Sequence, residues 1–384
     1  MTCWLDMRVL ILGYGNIGSV LAEDLAGSML STECVIAGRH LKRAEEAAAS
    51  LNRENVMGMR LDANDHRALV DAMKESDLVI GTLPGDVGYQ SVKAAIDAKV
   101  DMVDVSFMPE NPLMLDEGAA KSDVTIVPDC GVAPGISNLL VGHAISKLDE
   151  VESIRIMVGG LPMEPVPPLG YVVTWSVANL LDEYGRKAKI VRNGKVVDVE
   201  ALTGLEEVEF PGVGKLEAFY TDGLRTLLDT VKGVKNMWEK TLRYPGHAEK
   251  IRLLKALGLF DEDSINVGNT SVPPREVTVE LLKKKLRRPE IRDMLAMKVD
   301  VTGMAEGSER RYSYRLLDRY DTEKGITAMA RTTAYPASII GQLITSKAIE
   351  ERGVIPLEKL GVKERLFNKI LLELEKRRVK ILES

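Results

Sequence analysis

The chain opens with an apolar run, Val9–Leu12, that ends in a glycine-rich turn. The turn reads Gly13-Tyr14-Gly15-Asn16-Ile17-Gly18. In such a turn the first glycine permits a tight bend, the second lets the backbone approach a pyrophosphate, and the third lets the following helix pack closely. That helix directs its free N–H groups, at the positive end of its dipole, towards an anion. The feature predicts the start of a dinucleotide-binding domain.

A second apolar run, Cys34–Gly38, follows at the distance that a βαβ unit requires. The next residue is Arg39, where an acidic residue would bind the 2′-hydroxyl of an unmodified ribose. Arg39, with His40 beside it, attracts a 2′-phosphate instead, which favours NADP over NAD. The same cations can also form the solvated start of the next helix, Arg43–Leu51, so both dinucleotides stay open as cofactors.

Short apolar strands alternate with helical segments through the first third of the chain. The strands are expected at Met7–Leu12, Cys34–Gly38, Val56–Leu61, Leu78–Thr82, Met102–Val105 and Val124–Val127. This rhythm predicts an α/β fold, a Rossmann-type doubly wound parallel sheet covered by helices on both faces. Ligands bind beyond the carboxyl ends of such strands. The residues expected there are Asp62, Ala63, Leu83, Pro84, Gly85, Phe107 and Asp129.

The pattern changes after residue 130. Asn193-Gly194 predicts a tight hairpin within Val191–Val197, and a longer strand pair is expected at Leu295–Thr302 and Arg311–Leu317. A helix is expected at Leu224–Val231. We therefore predict a dinucleotide-binding domain at residues 1–130, a second α+β domain with a mostly antiparallel sheet at 131–330, and C-terminal helices at 331–384 that return to the first domain.

Composition restricts the class of protein. With 384 residues and 45% hydrophobic content, the chain can bury more than one core. The net charge of −6 argues against a nucleic-acid partner. No apolar stretch approaches the length of a membrane span and the start has no signal pattern, so we expect no membrane partner and a cytoplasmic location. The three cysteines and four histidines are too scattered to predict a disulfide or a metal site.

Four further motifs follow one another in the second half of the chain. They are Gly159-Gly160-Leu161-Pro162, Thr174-Trp175-Ser176, Thr241-Leu242-Arg243-Tyr244-Pro245-Gly246 and Ala328-Met329-Ala330-Arg331-Thr332-Thr333-Ala334-Tyr335-Pro336-Ala337. In this order they resemble the saccharopine dehydrogenase family. Within it, Pro245–Lys250 and Thr332–Pro336 most resemble the members that deaminate the ε-amino group of L-lysine. The resemblance implies NAD(P)-dependent oxidation of lysine to 2-aminoadipate 6-semialdehyde, which cyclises, with release of ammonia.

Three positions depart from the saccharopine-cleaving members that the chain resembles. Those members usually carry tyrosine at Phe107, aspartate at Ala133 and cysteine at Val158. The loss of three polar side chains argues against saccharopine, with its additional glutamate arm, as the substrate. Saccharopine or carboxynorspermidine dehydrogenase remains the alternative, and a non-catalytic dinucleotide-binding protein is a further one.

Amine oxidation needs a base, because the amine must be neutral before hydride leaves and water must then attack the iminium. Asp129 is the leading candidate, since it follows the sixth strand among apolar neighbours that can raise a carboxyl pKa. Its alternative role is to cap the next helix. His247 is the second candidate because its ordinary pKa lies near neutrality, although a histidine that opens a helix is also commonly structural.

The amino-acid substrate needs charged partners. Arg243 and Arg225 offer planar donors to its carboxylate, and Arg243 is the stronger candidate because its neighbours are small or turn-forming. Asp222 is a candidate for its α-ammonium or, alternatively, a turn residue. Trp175 and Phe107 are expected to form apolar walls for the methylene chain, with a core position as the alternative for Trp175. The apolar segment Ile339–Ile349 favours a homodimer.

Overall fold

The computed structural model describes residues 7–28, 32–173, 176–288 and 292–383. The chain divides into two compact units. The first contains the chain up to Ser146 together with Ala330–Val379, and the second contains Lys147–Met329 and the segment that follows Val379.

Strands and helices alternate up to Ile145, as the apolar runs predict. The elements are β1 (Met7–Leu12), α1 (Asn16–Ser28), β2 (Thr32–Gly38), α2 (Leu41–Ser50), β3 (Val56–Arg60), α3 (His66–Lys74), β4 (Leu78–Gly81), α4 (Gly85–Ala98), β5 (Met102–Asp104), α5 (Asp116–Lys121), β6 (Thr125–Val127) and α6 (Ile136–Ile145).

Strands dominate the region that follows. The elements are β7 (Glu150–Pro162), α7 (Val177–Gly185), β8 (Ala188–Arg192), β9 (Lys195–Val199), β10 (Glu206–Phe210), β11 (Gly214–Tyr220), α8 (Leu227–Thr230), β12 (Asn236–Arg243), α9 (His247–Ala256), β13 (Ile265–Val267), β14 (Thr270–Val272), α10 (Pro274–Leu286), β15 (Asp293–Ala305) and β16 (Ser308–Arg319). The last elements are α11 (Ala328–Thr345), β17 (Gly353–Val354), α12 (Leu357–Gly361), α13 (Glu364–Lys376) and β18 (Ile381–Glu383).

The first unit is built on a parallel sheet of seven strands in the order β17-β6-β5-β4-β1-β2-β3. Its central strands are buried on both faces, which is why they read as continuous apolar runs in the sequence. Read from the opposite edge, six of these strands lie in the order β3-β2-β1-β4-β5-β6, which is that of a doubly wound dinucleotide-binding sheet. The predicted Rossmann-type fold is therefore confirmed.

Helix α6 belongs to the first compact unit, which extends to Ser146. A Cβ atom at Gly142 would overlap the backbone of Glu358 in α12, which shows how closely the two helices pack. Asn138 also donates a hydrogen bond to Glu358 Oε2 at 3.2 Å. These contacts hold α6 to the C-terminal helices.

The apolar residues of α11 are covered within the first unit. Ile339 is 2% exposed, Ile340 is fully buried, and Gly341 packs against Leu78 and Ile80 of β4. This face supports the core of its own unit, so the apolar segment Ile339–Ile349 gives no argument for self-association. A homodimer stays a prediction without this support.

The second unit is built on a nine-stranded sheet whose main path is β10-β11-β12-β7-β15-β16-β18, with β8 and β9 attached at β12. All of its strand pairs are antiparallel except β12 with β7, which confirms the predicted mostly antiparallel sheet. The hairpin at Asn193-Gly194 is also confirmed, with φ of +50° and +75° at the two turn residues.

The helix expected at Leu224–Val231 is shorter than its sequence suggests. Helix α8 contains four residues, Leu227–Thr230. Arg225 has φ of +51°, in the left-handed region, so a right-handed helix cannot begin before it. The turn before α8 leaves Asp222 and Arg225 on a loop.

Candidate active site

The glycine-rich turn has the geometry of a phosphate-binding loop. Gly13 has φ of +114°, and a Cβ atom there would approach Thr82. A Cβ atom at Gly18 would overlap the carbonyl oxygen of Gly13, so the third glycine is needed for helix α1 to pack on the turn. At Gly15 a Cβ atom would meet no atom of the described residues within 4 Å. The space above Gly15 therefore fits a pyrophosphate.

The residues around the turn complete this cradle. Asn16 and Ile17 form the first positions of α1, where backbone N–H groups lack helical partners. The ring of Tyr14 packs against Gly38 at the end of β2, where any side chain would collide with it. The chain thus fits a dinucleotide, which would supply a nicotinamide ring as hydride acceptor.

Arg39 and His40 follow β2 and are both exposed. His40 is the N-cap residue of α2 and makes no side-chain capping hydrogen bond, so its ring is not used to hold the helix. Asp62 lies beyond β3, and its carboxylate accepts hydrogen bonds from the backbone and side chain of Asn64, which together hold the pKa of Asp62 below its usual value. Ala63 lies in the same turn and is half-buried.

The loop after β4 packs against the residues that follow β5. Pro84 is the N-cap residue of α4, directly after Leu83. A Cβ atom at Gly85 would overlap the carbonyl of Phe107, and one at Gly88 would overlap Ser106 Oγ. These glycines are therefore required by close packing inside the first unit, and this packing places Phe107 beside the predicted cofactor loop.

Asp129 lies just beyond β6 and is 4% exposed. Its φ of +52° is in the left-handed region, which a residue with a side chain adopts at a cost of about 1 kcal/mol. The N-cap residue of α6 is Gly135, whose N–H group donates to Asn138 Oδ1 at 3.2 Å. The structure thus gives the capping position to another residue and leaves Asp129 in a strained, buried position at the carboxyl edge of the sheet.

A network of buried hydrogen bonds links Arg243, Tyr184 and His247 in the second unit. Arg243 Nε donates to the hydroxyl oxygen of Tyr184 at 2.9 Å. The Tyr184 hydroxyl in turn donates its own proton to His247 Nε2, also at 2.9 Å. The other ring nitrogen, Nδ1, then donates to the carbonyl of Leu169 at 2.9 Å. These hydrogen bonds fix His247 as the neutral tautomer with its proton on Nδ1.

His247 differs electrostatically from the expectation drawn from its residue type. It is 1% exposed, and burial together with the positive charge of Arg243 lowers the pKa of His247 to about 3. The expectation of an ordinary pKa near neutrality is therefore wrong, because the hydrogen-bond network keeps the ring neutral and desolvated. A role for His247 in proton transfer stays a prediction without that argument.

Arg243 is similarly enclosed, at 3% exposure. Besides Tyr184, its guanidinium donates to the carbonyl of Leu242 at 2.9 Å and lies 3.5 Å from Glu183 Oε2. It also stacks on the ring of Tyr171, with its Cζ atom 4.5 Å from the ring centroid. These contacts occupy all three nitrogens with protein partners, whereas Arg225, on the loop before α8, is half-buried.

Near these hydrogen-bonded residues lies a group of carboxylates that we call the acidic cluster, formed by Glu183, Asp222 and Glu239. Glu239 is 5% exposed on β12, and burial, reinforced by the negative charges of Glu183 and Asp222, raises the pKa of Glu239 to about 8. Thr241, two residues further on the same face of β12, donates to Glu183 Oε1 at 2.5 Å. Asp222, on the turn after β11, is half-buried.

Glu183 and Glu239 were not among the site residues predicted from the sequence. The only signal was the polar alternation Glu239, Thr241, Arg243 along one strand, which is unusual on a buried face. Trp175, the expected wall of the substrate site, lies outside the described residues. Within residues 7–28, 32–173, 176–288 and 292–383, no three histidine, cysteine or acidic side chains come close enough together to hold a metal ion.

No helix in the described part of the chain is both long enough and apolar enough to cross a bilayer.

The phosphate-binding turn and the parallel sheet define a dinucleotide-binding protein of the Rossmann type, with a second, mostly antiparallel unit. Residues 9–127 match the saccharopine dehydrogenase NADP binding domain, and residues 131–379 match the saccharopine dehydrogenase C-terminal domain. The chain belongs to the saccharopine dehydrogenase family. This confirms the resemblance drawn from the motifs and the expectation of an NAD(P) cofactor.

Individual relatives agree with this family. The chain is 26% identical over 295 residues to alpha-aminoadipic semialdehyde synthase of Arabidopsis thaliana, with 68% of this chain and 28% of the relative covered. It is 28% identical over 294 residues to the NADP(+)-dependent, L-glutamate-forming saccharopine dehydrogenase of Schizosaccharomyces pombe, with 72% of this chain and 64% of the relative covered. The chain thus spans less than two thirds of the length of either relative.

Apo saccharopine dehydrogenase (L-Glu forming) from Saccharomyces cerevisiae has a similar solved structure. Its TM-score is 0.80 at 19% identity, and the match covers 98% of this chain and 100% of that chain. This similarity supports the fold.

Proposed function

We propose that this protein is an NAD(P)-dependent lysine 6-dehydrogenase. In the proposed reaction, protonated L-lysine, water and the oxidised dinucleotide give 2-aminoadipate 6-semialdehyde, ammonium, the reduced dinucleotide and one proton. The semialdehyde then cyclises to piperideine-6-carboxylate. The bonds broken are the C–H bond and the C–N bond at the ε-carbon, and the nicotinamide accepts the hydride.

The observation that carries this proposal is the charge composition of the acidic cluster and its surroundings. Three carboxyl side chains, those of Glu183, Asp222 and Glu239, lie near two cations, Arg225 on the loop before α8 and Arg243, which is 3.5 Å from Glu183 Oε2. The guanidinium of Arg243 is enclosed by protein acceptors. Such a group favours a substrate with one carboxylate and one retained ammonium, because a second or third carboxylate would find no further cation there.

The position at which the saccharopine-cleaving members carry cysteine supports the same conclusion. Val158 on β7 pairs in register with Thr241 on β12, so its side chain stands on the sheet face that carries Glu239 and Thr241. An apolar residue at this position offers a methylene chain a packing surface and offers a glutamate arm no hydrogen bond. Lysine, with four methylenes and no such arm, fits this face better than saccharopine.

We assign the remaining roles by position and chemistry. Asp129 is the proposed general base, since its buried and strained position beyond β6 is typical of residues held for function. Arg225 takes the carboxylate role in preference to Arg243 because it is less enclosed. Asp222 is proposed to contact the α-ammonium, and Phe107 to pack on the methylene chain.

The exposed Arg39 supports a preference for NADP. A guanidinium binds a 2′-phosphate through charge-assisted hydrogen bonds, whereas NAD presents only hydroxyls at that position. His40, whose ring is not used in helix capping, can add a further donor. We therefore propose NADP as the better cofactor and NAD as the weaker one.

Substrate-dependent reduction of the nicotinamide, followed by absorbance, tests the proposal. L-lysine and saccharopine are supplied separately with NADP or NAD, and the released ammonia and glutamate are measured. Turnover of lysine with one ammonia per reduced nicotinamide supports the proposal. Faster turnover of saccharopine with release of glutamate would replace it by the saccharopine alternative, and dinucleotide binding without turnover of either would favour a non-catalytic protein.

A further inference from the structure

Glu239 is a buried carboxyl group that the surrounding protein does not satisfy. Its Oε2 atom is inaccessible to solvent and has no hydrogen-bond partner among the described residues. A Cβ atom at Gly223 would overlap the Glu239 carboxyl, so the backbone of the turn after β11 closes directly on this side chain. Buried acceptors are nearly always hydrogen-bonded in native proteins, and one that is not calls for an explanation.

The groups around Glu239 come from several elements of the second unit. Glu183 faces it from α7, and Asp222 and Arg225 face it from the loop between β11 and α8. On β7, Ile156 is the register partner of Glu239 and adds no charge. Arg243, also on β12, lies 3.5 Å from Glu183 Oε2 and offsets its charge. At Glu239, the positive charge of Arg225 offsets the negative charge of Asp222. Ionised Glu239 then has no cationic partner of its own among the residues that the structure describes, which disfavours an anionic ligand and favours a cation.

The cation that suits this position is an ammonium group. No set of three potential metal ligands is close enough together in the described part of the chain, which argues against a metal ion. An ammonium carries three N–H donors, so it can bond a single carboxylate oxygen and leave two donors for other acceptors. A substrate amine can therefore supply the hydrogen bond that the buried Oε2 atom of Glu239 lacks among the described residues.

The chemistry of the reaction decides which amine of a diamino acid belongs here. The reacting amine must lose its proton before hydride leaves, and neighbouring carboxylates raise the pKa of an ammonium and oppose that loss. The amine that stays charged throughout is the one these carboxylates suit. We propose that Glu239, flanked by Glu183 and Asp222, is a specificity-determining residue that receives the non-reacting α-ammonium of the substrate.

The proposal has a consequence for protons. With a pKa of about 8, Glu239 is mostly protonated at pH 7 when the site is empty. An arriving ammonium stabilises the carboxylate, so the carboxyl proton leaves to solvent while the substrate keeps its three N–H bonds. Binding of an α-ammonium at pH 7 should release close to one proton, and no redox step is involved.

Two lysine analogues separate this inference from the proposed function on which it rests. L-norleucine retains the α-ammonium and lacks the ε-amine, whereas 6-aminohexanoate retains the ε-amine and lacks the α-ammonium. Binding of each is measured by titration calorimetry to the NADP-loaded protein, in two buffers of different ionisation enthalpy, so that released protons are counted. The variants are Glu239→Gln, which keeps the shape, and Glu207→Gln, an exposed control on β10.

We expect Glu239→Gln to weaken L-norleucine binding by about 10- to 100-fold and to abolish its proton release. The same substitution should change 6-aminohexanoate binding by less than about threefold, and Glu207→Gln should change neither. Unchanged norleucine affinity in Glu239→Gln, equal weakening of both analogues, or no norleucine binding by the unsubstituted protein would each overturn the inference. Circular dichroism checks that each variant is folded.

These outcomes are independent of turnover because L-norleucine has no ε-amine to oxidise. Norleucine binding that depends on Glu239, in a protein that fails to oxidise lysine, would refute the proposed function and leave the ammonium subsite standing. Lysine oxidation with no effect of Glu239→Gln on norleucine binding would refute the ammonium subsite and leave the proposed function standing.

Discussion

The clearest energetic prediction concerns Glu239→Gln and the pH dependence of stability. In the folded protein the pKa of Glu239 is raised to about 8 from an ordinary value of 4.5. Between these two values the folded state holds a proton that the unfolded chain has lost. Glu239 therefore contributes its full stability below pH 4.5, and that contribution is lost as the pH rises towards 8. Glutamine does not titrate, so the free energy of unfolding of the variant does not fall in this way as the pH rises.

The size of the effect follows from the proton linkage. Each pH unit across this window changes the free energy of unfolding by about 1.4 kcal/mol for one such group. Between pH 5 and pH 7 the stability of Glu239→Gln relative to the unsubstituted protein should rise by about 2.5 kcal/mol. For a unit the size of residues 147–329, this corresponds to a relative increase in melting temperature of about 5–10 °C.

Scanning calorimetry of both proteins at pH 5, 6 and 7 provides the measurement, with Glu207→Gln as the matched control. The difference between Glu239→Gln and the unsubstituted protein should grow steadily with pH, whereas the Glu207→Gln difference should stay constant because its side chain is exposed. A Glu239→Gln difference that is the same at all three pH values would show that Glu239 ionises normally in the folded protein. The electrostatic account of the acidic cluster would then be refuted.

Three other substitutions test separate parts of the account. Arg39→Asp should lower the ratio of kcat/KM for NADP to that for NAD by at least about 10-fold, and an unchanged ratio would show that Arg39 does not contact the ribose. Asp129→Asn should lower kcat by about 100-fold with little change in lysine KM, so an unaffected kcat would return Asp129 to a structural role. Gly18→Ala should abolish dinucleotide binding, measured by fluorescence titration, and cost about 1–3 kcal/mol of stability, because its Cβ atom overlaps the Gly13 carbonyl; normal binding would contradict the packing described for the turn.

The fold of the first unit could be predicted because its information is local. Each buried strand is a short apolar run such as Val9–Leu12, and the glycine pattern identifies the turn between strand and helix. The hairpin at Asn193-Gly194 is also a local signal, since both residues tolerate positive φ. Features of this kind can be predicted because residues that are close in sequence determine them.

The polar network of the second unit could not be predicted in the same way. Thr241 and Glu183 are 58 residues apart in sequence and meet only when α7 packs against β12. The pKa of His247 was misjudged for the same reason, because burial and Arg243 act on it only in the folded structure. Residue type alone indicates a candidate, whereas its charge state depends on tertiary contacts.

The assignment of α6 illustrates a different limit. The change in sequence rhythm after residue 130 coincides with the start of the matched C-terminal domain at residue 131, whereas the packing of α6 through Asn138 and through the close approach of Gly142 to Glu358 leaves no local signal. These contacts join segments more than 200 residues apart in sequence, as the separation of 220 between Asn138 and Glu358 shows. Contacts at this sequence separation cannot be inferred from a local pattern.

The central claim is that hydride leaves the ε-carbon of lysine, and isotope transfer tests it most directly. L-lysine deuterated at its ε-carbon is incubated with the protein and oxidised dinucleotide, and the reduced nicotinamide is analysed by mass spectrometry, with lysine deuterated at the α-carbon as the comparison. The account predicts one deuterium in the reduced nicotinamide from the ε-labelled substrate and none from the α-labelled one. Deuterium from the α-carbon, or reduced nicotinamide without deuterium from the ε-labelled lysine, would contradict it.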